Sequence, residues 1–285
     1  VSCDYKEYKQ ADIGGAKVNY LEYPGNGPSL IMLHATGFLP WVWHPVARGL
    51  SCDYDVTAPF FCKHREPNME NGGIGWKDLA RDLVKLMEVL EVKRPYYMVG
   101  HSMGGAVATL ATALFGLQPE AMVLIEPIIL PEQFYGFNPT VEQHPLASKS
   151  IKRRNHWEDR QEAREYLLSK KFFASWDPEV LEIYLQYGIV ENSGGLTLAC
   201  QPDKEAALFL GSSQENPWPV LAKLHCPVLV LEGETTENKG IIPFEKAAAA
   251  MPNGEFQIVK GAGHLIPMER PRKTQALIKE FFESL

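Results

Sequence analysis

The stretch from Tyr96 to Phe115 constrains the fold of this chain more than any other. Tyr96 to Gly100 (YYMVG) reads as a short strand and Gly104 to Phe115 (GGAVATLATALF) as a small-residue helix able to pack close to a sheet. The turn between them carries Gly100-His101-Ser102-Met103-Gly104, a G-x-S-x-G motif in the strand–turn–helix setting that a nucleophile elbow requires. Small residues at Gly100 and Gly104 permit the strained turn that lifts the Ser102 hydroxyl above the sheet. The helix behind it points its N-terminal dipole at developing negative charge. An accidental Gly-rich turn is the plain alternative; the flanking strand and helix favour the nucleophile.

The rest of the first half repeats this alternation. Lys17 to Tyr23 follows a Gly14-Gly15 turn and is expected to pair as a hairpin with the segment before it. Ser29 to His34 (SLIMLH) is nearly continuous in apolar residues, as a strand buried on both faces should be. Tyr54 to Ala58 is a weaker strand, Trp76 to Val92 carries apolar residues at helical spacing, and Ala121 to Ile125 is a further strand. After Pro131 the strand signal stops until about Trp218, and segments such as Trp157 to Phe173 and Pro178 to Tyr187 read as helices. The alternation resumes with Pro227 to Leu231, a helix around Phe244 to Met251, a strand from Glu255 to Lys260 and a last helix from Arg272 to Leu285. The expected class is therefore α/β, a mostly parallel sheet flanked by helices. Residues 1–130 and 219–285 form the expected core. Residues 131–218 form a helical cap over the carboxyl ends of the strands, where ligands bind in open α/β sheets.

Composition narrows the partners. The 285 residues are enough for a sizeable core without staples. A formal charge of −7, with no basic run longer than Lys152-Arg153-Arg154, gives no footprint for nucleic acid or an anionic membrane. That cluster reads as a solvated face of the cap, with a substrate carboxylate as its second reading. No apolar run approaches the roughly 20 residues of a spanning helix, and VSCDYKEYKQ is not a signal segment, so a cytoplasmic location is expected. Five scattered cysteines (Cys3, Cys52, Cys62, Cys200, Cys226) without a Cys-x-x-Cys pair indicate neither a disulfide framework nor a zinc site.

A serine nucleophile needs a general base, usually histidine, and the histidine needs an orienting carboxylate. His264 stands out among the eight histidines. It lies in Gly261-Ala262-Gly263-His264, after the last expected strand and before the last helix, on a loop at the strand ends. His101 is on the wrong side of the turn, His144 and His156 sit in the cap, His64 and His225 read as loop residues, and His44 as lining the pocket mouth.

With His34-Ala35-Thr36-Gly37 after an early strand, Gly100-His101-Ser102-Met103-Gly104-Gly105, a helical insertion and the late Gly261-Ala262-Gly263-His264, the chain resembles the α/β-hydrolase superfamily, in its capped serine-hydrolase branch. The resemblance covers nearly the whole chain and implies an eight-stranded sheet. Most relatives place the triad acid after the seventh core strand, and the matching position here is Thr236, which cannot supply a charge. Glu126, in Leu124-Ile125-Glu126-Pro127, occupies the alternative acid position that some haloalkane dehalogenases use, with Glu237 as second choice. The resemblance also implies an oxyanion hole from the Met103 amide and the Thr36 amide, with Gly37 or Phe38 if the loop is shifted. Aromatic residues Phe38, Trp41, Trp157 and Trp176 are the expected walls of an apolar pocket, although packing is the default role of each.

The expected function is a serine hydrolase for a small carboxylic ester or related acyl compound, working without a cofactor or metal. Dehalogenase and epoxide-hydrolase chemistry is disfavoured, because those relatives use a carboxylate where this elbow holds Ser102. The rival readings are carbon–carbon hydrolysis, lactone opening or perhydrolysis on the same triad, and a ligand-binding protein with little turnover.

Overall fold

The structure, a computed structural model, describes residues 8–192 and 194–285. Cys3 lies outside them. The strands are β1 (Lys9–Asp12), β2 (Lys17–Tyr23), β3 (Ser29–Leu33), β4 (Asp55–Pro59), β5 (Tyr96–His101), β6 (Met122–Ile125), β7 (Ile189–Asn192), β8 (Gly195–Leu198), β9 (Val228–Gly233) and β10 (Gly254–Val259). Eight of them form one sheet in the order β1-β2-β4-β3-β5-β6-β9-β10. β1 and β2 form the expected antiparallel hairpin, β2 runs antiparallel to β4, and every pair from β4 to β10 is parallel.

The central strands β3, β5, β6 and β9 are buried almost throughout, which explains their continuous apolar runs. On one flank, helix Trp76–Val89 turns Leu79, Ala80, Leu83, Leu86 and Met87 inward and most of its charged residues outward. Helix Met103–Phe115 is buried over its first ten residues. Its small side chains let it lie against the sheet: a Cβ at Gly104 would stand 2.3 Å from the Leu33 carbonyl oxygen, so the helix meets β3 at a distance only glycine allows.

Between β6 and β9 the chain leaves the sheet for about a hundred residues. This excursion holds helices Pro145–Ser150, Arg160–Leu168, Pro178–Ile183 and Pro202–Leu210. It also holds a two-stranded hairpin, β7 with β8, where only helices are expected from the sequence. At four residues each, these strands sit at the lower limit of length for an alternating pattern. The hairpin is stabilised by packing instead: Leu196 exchanges both backbone hydrogen bonds with Trp157, far back along the excursion in a part that periodicity cannot connect to it. The excursion has its own apolar cluster, including Trp157, Phe173, Trp176, Val180, Tyr184 and Leu196, and this cluster closes on Ala35 and Phe38 after β3 and on Leu265 and Met268 after β10. The Asp177 amide also donates to the Met268 carbonyl at 2.9 Å.

The first turn after β3 is anchored by His34. Its Nδ1–H donates to the Ala35 carbonyl (2.8 Å) and its Nε2 accepts from the Phe61 amide (2.9 Å), which requires the neutral ring. Burial is the main reason that its pKa falls from 6.5 to about 4. Because the unfolded chain then binds more protons between those values, this contribution to stability is complete above pH 6.5 and is lost as the pH falls toward 4. The loss amounts to about 3 kcal/mol. Urea unfolding at about pH 7 and about pH 4.5 should therefore show a larger acid loss for the native protein than for His34→Gln, which donates and accepts without titrating. Equal losses would refute the assignment.

Candidate active site

The parallel register brings the sequence-predicted residues to one edge of the sheet. Gly100 and His101 of β5 pair with Leu124 and Ile125 of β6, and Ile125 pairs with Leu231 of β9. Ser102 and Glu126 therefore leave neighbouring strands side by side. Each is pinned across the sheet, the Ser102 amide on the Ile125 carbonyl (2.9 Å) and the Glu126 amide on the Leu231 carbonyl (2.8 Å). Both take left-handed φ values, 55° and 47°. This conformation is uncommon for non-glycine residues and is kept only where the surroundings impose it. It turns both side chains off their strands at the carboxyl edge.

His264 follows β10 and lies between them. Its Nε2 is 3.2 Å from Ser102 Oγ and its Nδ1 is 3.0 Å from Glu126 Oε2. The Glu126 side chain is wholly buried, whereas that of His264 is 15% exposed. Nδ1–H donates to the carboxylate, which leaves Nε2 as the acceptor facing the serine hydroxyl.

Four donors surround the Glu126 carboxylate. Oε1 accepts from the Gly233 amide (2.7 Å), and Oε2 accepts from Thr236 Oγ1 (2.9 Å), Asn238 Nδ2 (3.1 Å) and His264. Such a set satisfies a buried carboxylate's lone pairs without an arginine or lysine. Thr236, notable in the sequence only as a missing acid, is thus a donor to Glu126. Asn238 also lies 2.9 Å from His264 Nδ1; since that nitrogen donates to Glu126, the amide's useful bond is to the carboxylate. Glu237, the second candidate acid, is exposed.

His101 has a role that its place before Ser102 conceals. It is fully buried, and its Nε2–H donates to the His264 carbonyl at 2.9 Å, holding the loop that carries His264. Burial, followed by the neighbouring His264, pushes its pKa well down and keeps it neutral. Glycine and histidine spacing alone offers no signal for this contact, which joins residues 163 apart.

Met103 is the first residue of its helix, so its amide has no intrahelical acceptor. Thr36 is buried in the tight turn that the Phe38 amide closes on the Ala35 carbonyl (3.3 Å). Phe38 packs against Trp176 and Tyr184 with ring centroids 5.7 and 5.9 Å apart. Trp41 stacks on Tyr187 at 4.0 Å. Trp157 lies inside the excursion's own cluster, beside Tyr166. Of the expected aromatic walls, Phe38, Trp157 and Trp176 share one cluster, and Trp41 is packed into the main core.

A polar cleft of about 550 Å³ opens elsewhere, beside the Gly14-Gly15 turn, and is walled by His64, Arg65 and Asp82; none of Ser102, Glu126 or His264 lines it. There His64 and Arg65 both donate to Asp82. Among the described residues no group of three or more His, Cys, Asp or Glu is arranged to hold a metal ion, and no helix is long and apolar enough to cross a membrane.

A family model described as the alpha/beta hydrolase family matches residues 30–276. Monoacylglycerol lipase ABHD6 of Mus musculus is 23% identical over 268 residues, spanning 92% of this chain and 77% of that protein. The solved structure of E-2-(acetamidomethylene)succinate hydrolase superposes with a TM-score of 0.81 at 20% identity, covering 97% of this chain and 99% of that one. A malate-bound thermophilic esterase from Thermogutta terrifontis gives 0.71 at 21% identity, covering 98% and 99%. At these identities the structural likeness carries the fold.

Proposed function

The chain belongs to the alpha/beta hydrolase family, and from that premise we propose a serine hydrolase that cleaves a small carboxylic ester or related acyl compound through an acyl-enzyme. The observation that carries this reading is the unbroken line from Ser102 Oγ to His264 Nε2 and from His264 Nδ1 to Glu126. His264 takes the Ser102 proton as Oγ bonds to the carbonyl carbon, and Glu126 holds the ring in the tautomer that leaves Nε2 free and steadies the imidazolium. The amides of Met103 and Thr36 receive the oxyanion. His264 then returns the proton to the leaving alcohol as its bond breaks. Water repeats the sequence on the acyl-enzyme and releases the acid with Ser102 restored. Each step is a proton transfer, an addition to a carbonyl or the expulsion of a leaving group from the adduct, so no cofactor is called for.

Residues 131–218 act in this reading as a cap on the core formed by residues 1–130 and 219–285, with Phe38 and Trp176 on the acyl-facing side. Support for a small acyl substrate comes from the apolar cluster that joins the excursion to the turn after β3, and from relatives named as a lipase and an esterase. Incubation with an uncharged alkyl fluorophosphonate, followed by peptide mass spectrometry, should place one phosphonyl group on Ser102, and the same treatment of His264→Ala should leave it unmodified. A label on any other residue, or none, would overturn the proposal.

A further inference from the structure

The Lys152-Arg153-Arg154 cluster does not behave as one solvated face. Arg154 is an exposed residue paired with Glu162, but Arg153 turns inward and donates from Nη1 to both oxygens of Glu205, at 2.9 and 2.7 Å. Glu205, on helix Pro202–Leu210, is only 7% exposed. The carboxylate rests directly on the turn after β3. A Cβ built on Gly37 would lie 2.2 Å from Glu205 Oε1 and 2.8 Å from its Cδ, and Gly37 has φ +80°, the value a tight turn of this kind needs at its third residue. Burial opposes the charge on Arg153, the paired Glu205 carboxylate offsets it, and the Tyr184 phenol lies beside the guanidinium. Tyr184 in turn packs edge-on against Phe38, the last residue of the same turn. Both members of the ion pair therefore bear on Ala35–Phe38, one through Gly37 and the other through Tyr184.

Resting on the reading of Thr36 as an oxyanion donor, we infer that Arg153 is a positioning residue: it neutralises Glu205, so that this carboxylate can buttress the Ala35–Phe38 turn without opposing the negative charge that develops at the adjacent Thr36 amide. A buried carboxylate left without its partner is costly. Here the cost would fall on the reaction as well as the fold, because the stray charge would stand one residue from the oxyanion donor. A role for Arg153 as a receptor for a substrate carboxylate fits less well. Its charge is already matched by Glu205, and a second carboxylate would leave the buried site with a net negative charge.

The rate at which an uncharged alkyl fluorophosphonate labels Ser102 reads anion stabilisation without any knowledge of the natural substrate. With an unpaired charge at a separation on the order of 8 Å and an effective dielectric near 20, Arg153→Gln should label about 30-fold more slowly. Arg153→Lys, which keeps the charge, should recover most of that loss. The double variant Arg153→Gln/Glu205→Gln, in which no charge remains buried, should return to within about threefold of the native rate. A double variant as slow as Arg153→Gln, or an Arg153→Gln rate equal to the native one, overturns the inference, and the latter is what a carboxylate receptor would give. If Arg153→Gln fails to fold, the soluble double variant and Arg153→Lys still decide the matter. Unlabelled native Ser102 would instead remove the nucleophile reading itself.

Discussion

Replacing Ser102 by alanine is expected to lower kcat on p-nitrophenyl acetate by about 10⁴-fold or more while leaving the fold intact. The size follows from what is removed. With Oγ gone, no covalent intermediate forms, and only the oxyanion donors remain to assist direct attack by water. The fold should survive because the Ser102 hydroxyl has its hydrogen-bond contact with His264, not with the core. Alanine also bears the left-handed φ of 55° at much the same cost as serine, so a stability change within about 1 kcal/mol is expected. The decisive measurement pairs kcat with a thermal unfolding curve. A variant that melts like the native protein but retains more than about a tenth of its turnover would show that another group is the nucleophile.

Much of this site is legible in the amino-acid sequence because its parts are local. A strand, a sharp turn and a helix lie within Tyr96 to Phe115, and they specify Ser102 through steric and dipolar needs that only small residues at Gly100 and Gly104 meet. His264 and Glu126 are legible for a related reason: each directly follows a strand or its loop, and parallel strands in register deliver such residues to one edge. What sequence reading cannot supply are contacts made between loops of different strands. Thr236 and Glu126 are 110 residues apart and meet only because β6 and β9 are neighbours. The same holds for Arg153 and Glu205, whose charge pattern suggests solvated residues until the helix Pro202–Leu210 folds onto Gly37. The hairpin β7–β8 is hidden for the opposite reason, since its strands are barely long enough to carry a period and owe their pairing to Trp157.

The second large effect is expected at the acid. Glu126→Gln should lower kcat by about 10³- to 10⁴-fold, while Glu237→Gln should stay within about twofold of the native rate. The glutamine keeps the volume of the buried side chain but has one acceptor oxygen where the carboxylate has two. Four donors converge there, from Gly233, Thr236, Asn238 and His264. If its amide oxygen serves Gly233, the amide nitrogen faces His264 Nδ1 and favours the tautomer in which Nε2 carries the proton, so His264 cannot accept one from Ser102. If it is turned the other way, the Gly233 amide is left facing a donor, and the charge that steadies the imidazolium is lost in either case. Glu237 is exposed, so its charge is screened and its loss should go unnoticed. A comparison of kcat for the two variants, with KM little changed in both, tests the assignment, and a rate loss confined to Glu237→Gln would reverse it. Thr236 offers a sharper check, because its hydroxyl already lies 2.9 Å from Glu126 Oε2. Placing aspartate there in the Glu126→Gln protein restores a carboxylate beside the same histidine, and should recover activity by about tenfold or more if what His264 needs is a nearby negative charge. In the otherwise native protein the same Thr236→Asp change sets two carboxylates against each other in a buried site and removes a donor to Glu126, and it should slow the enzyme. Opposite signs for one substitution in the two backgrounds would establish that positions 126 and 236 serve a single acid.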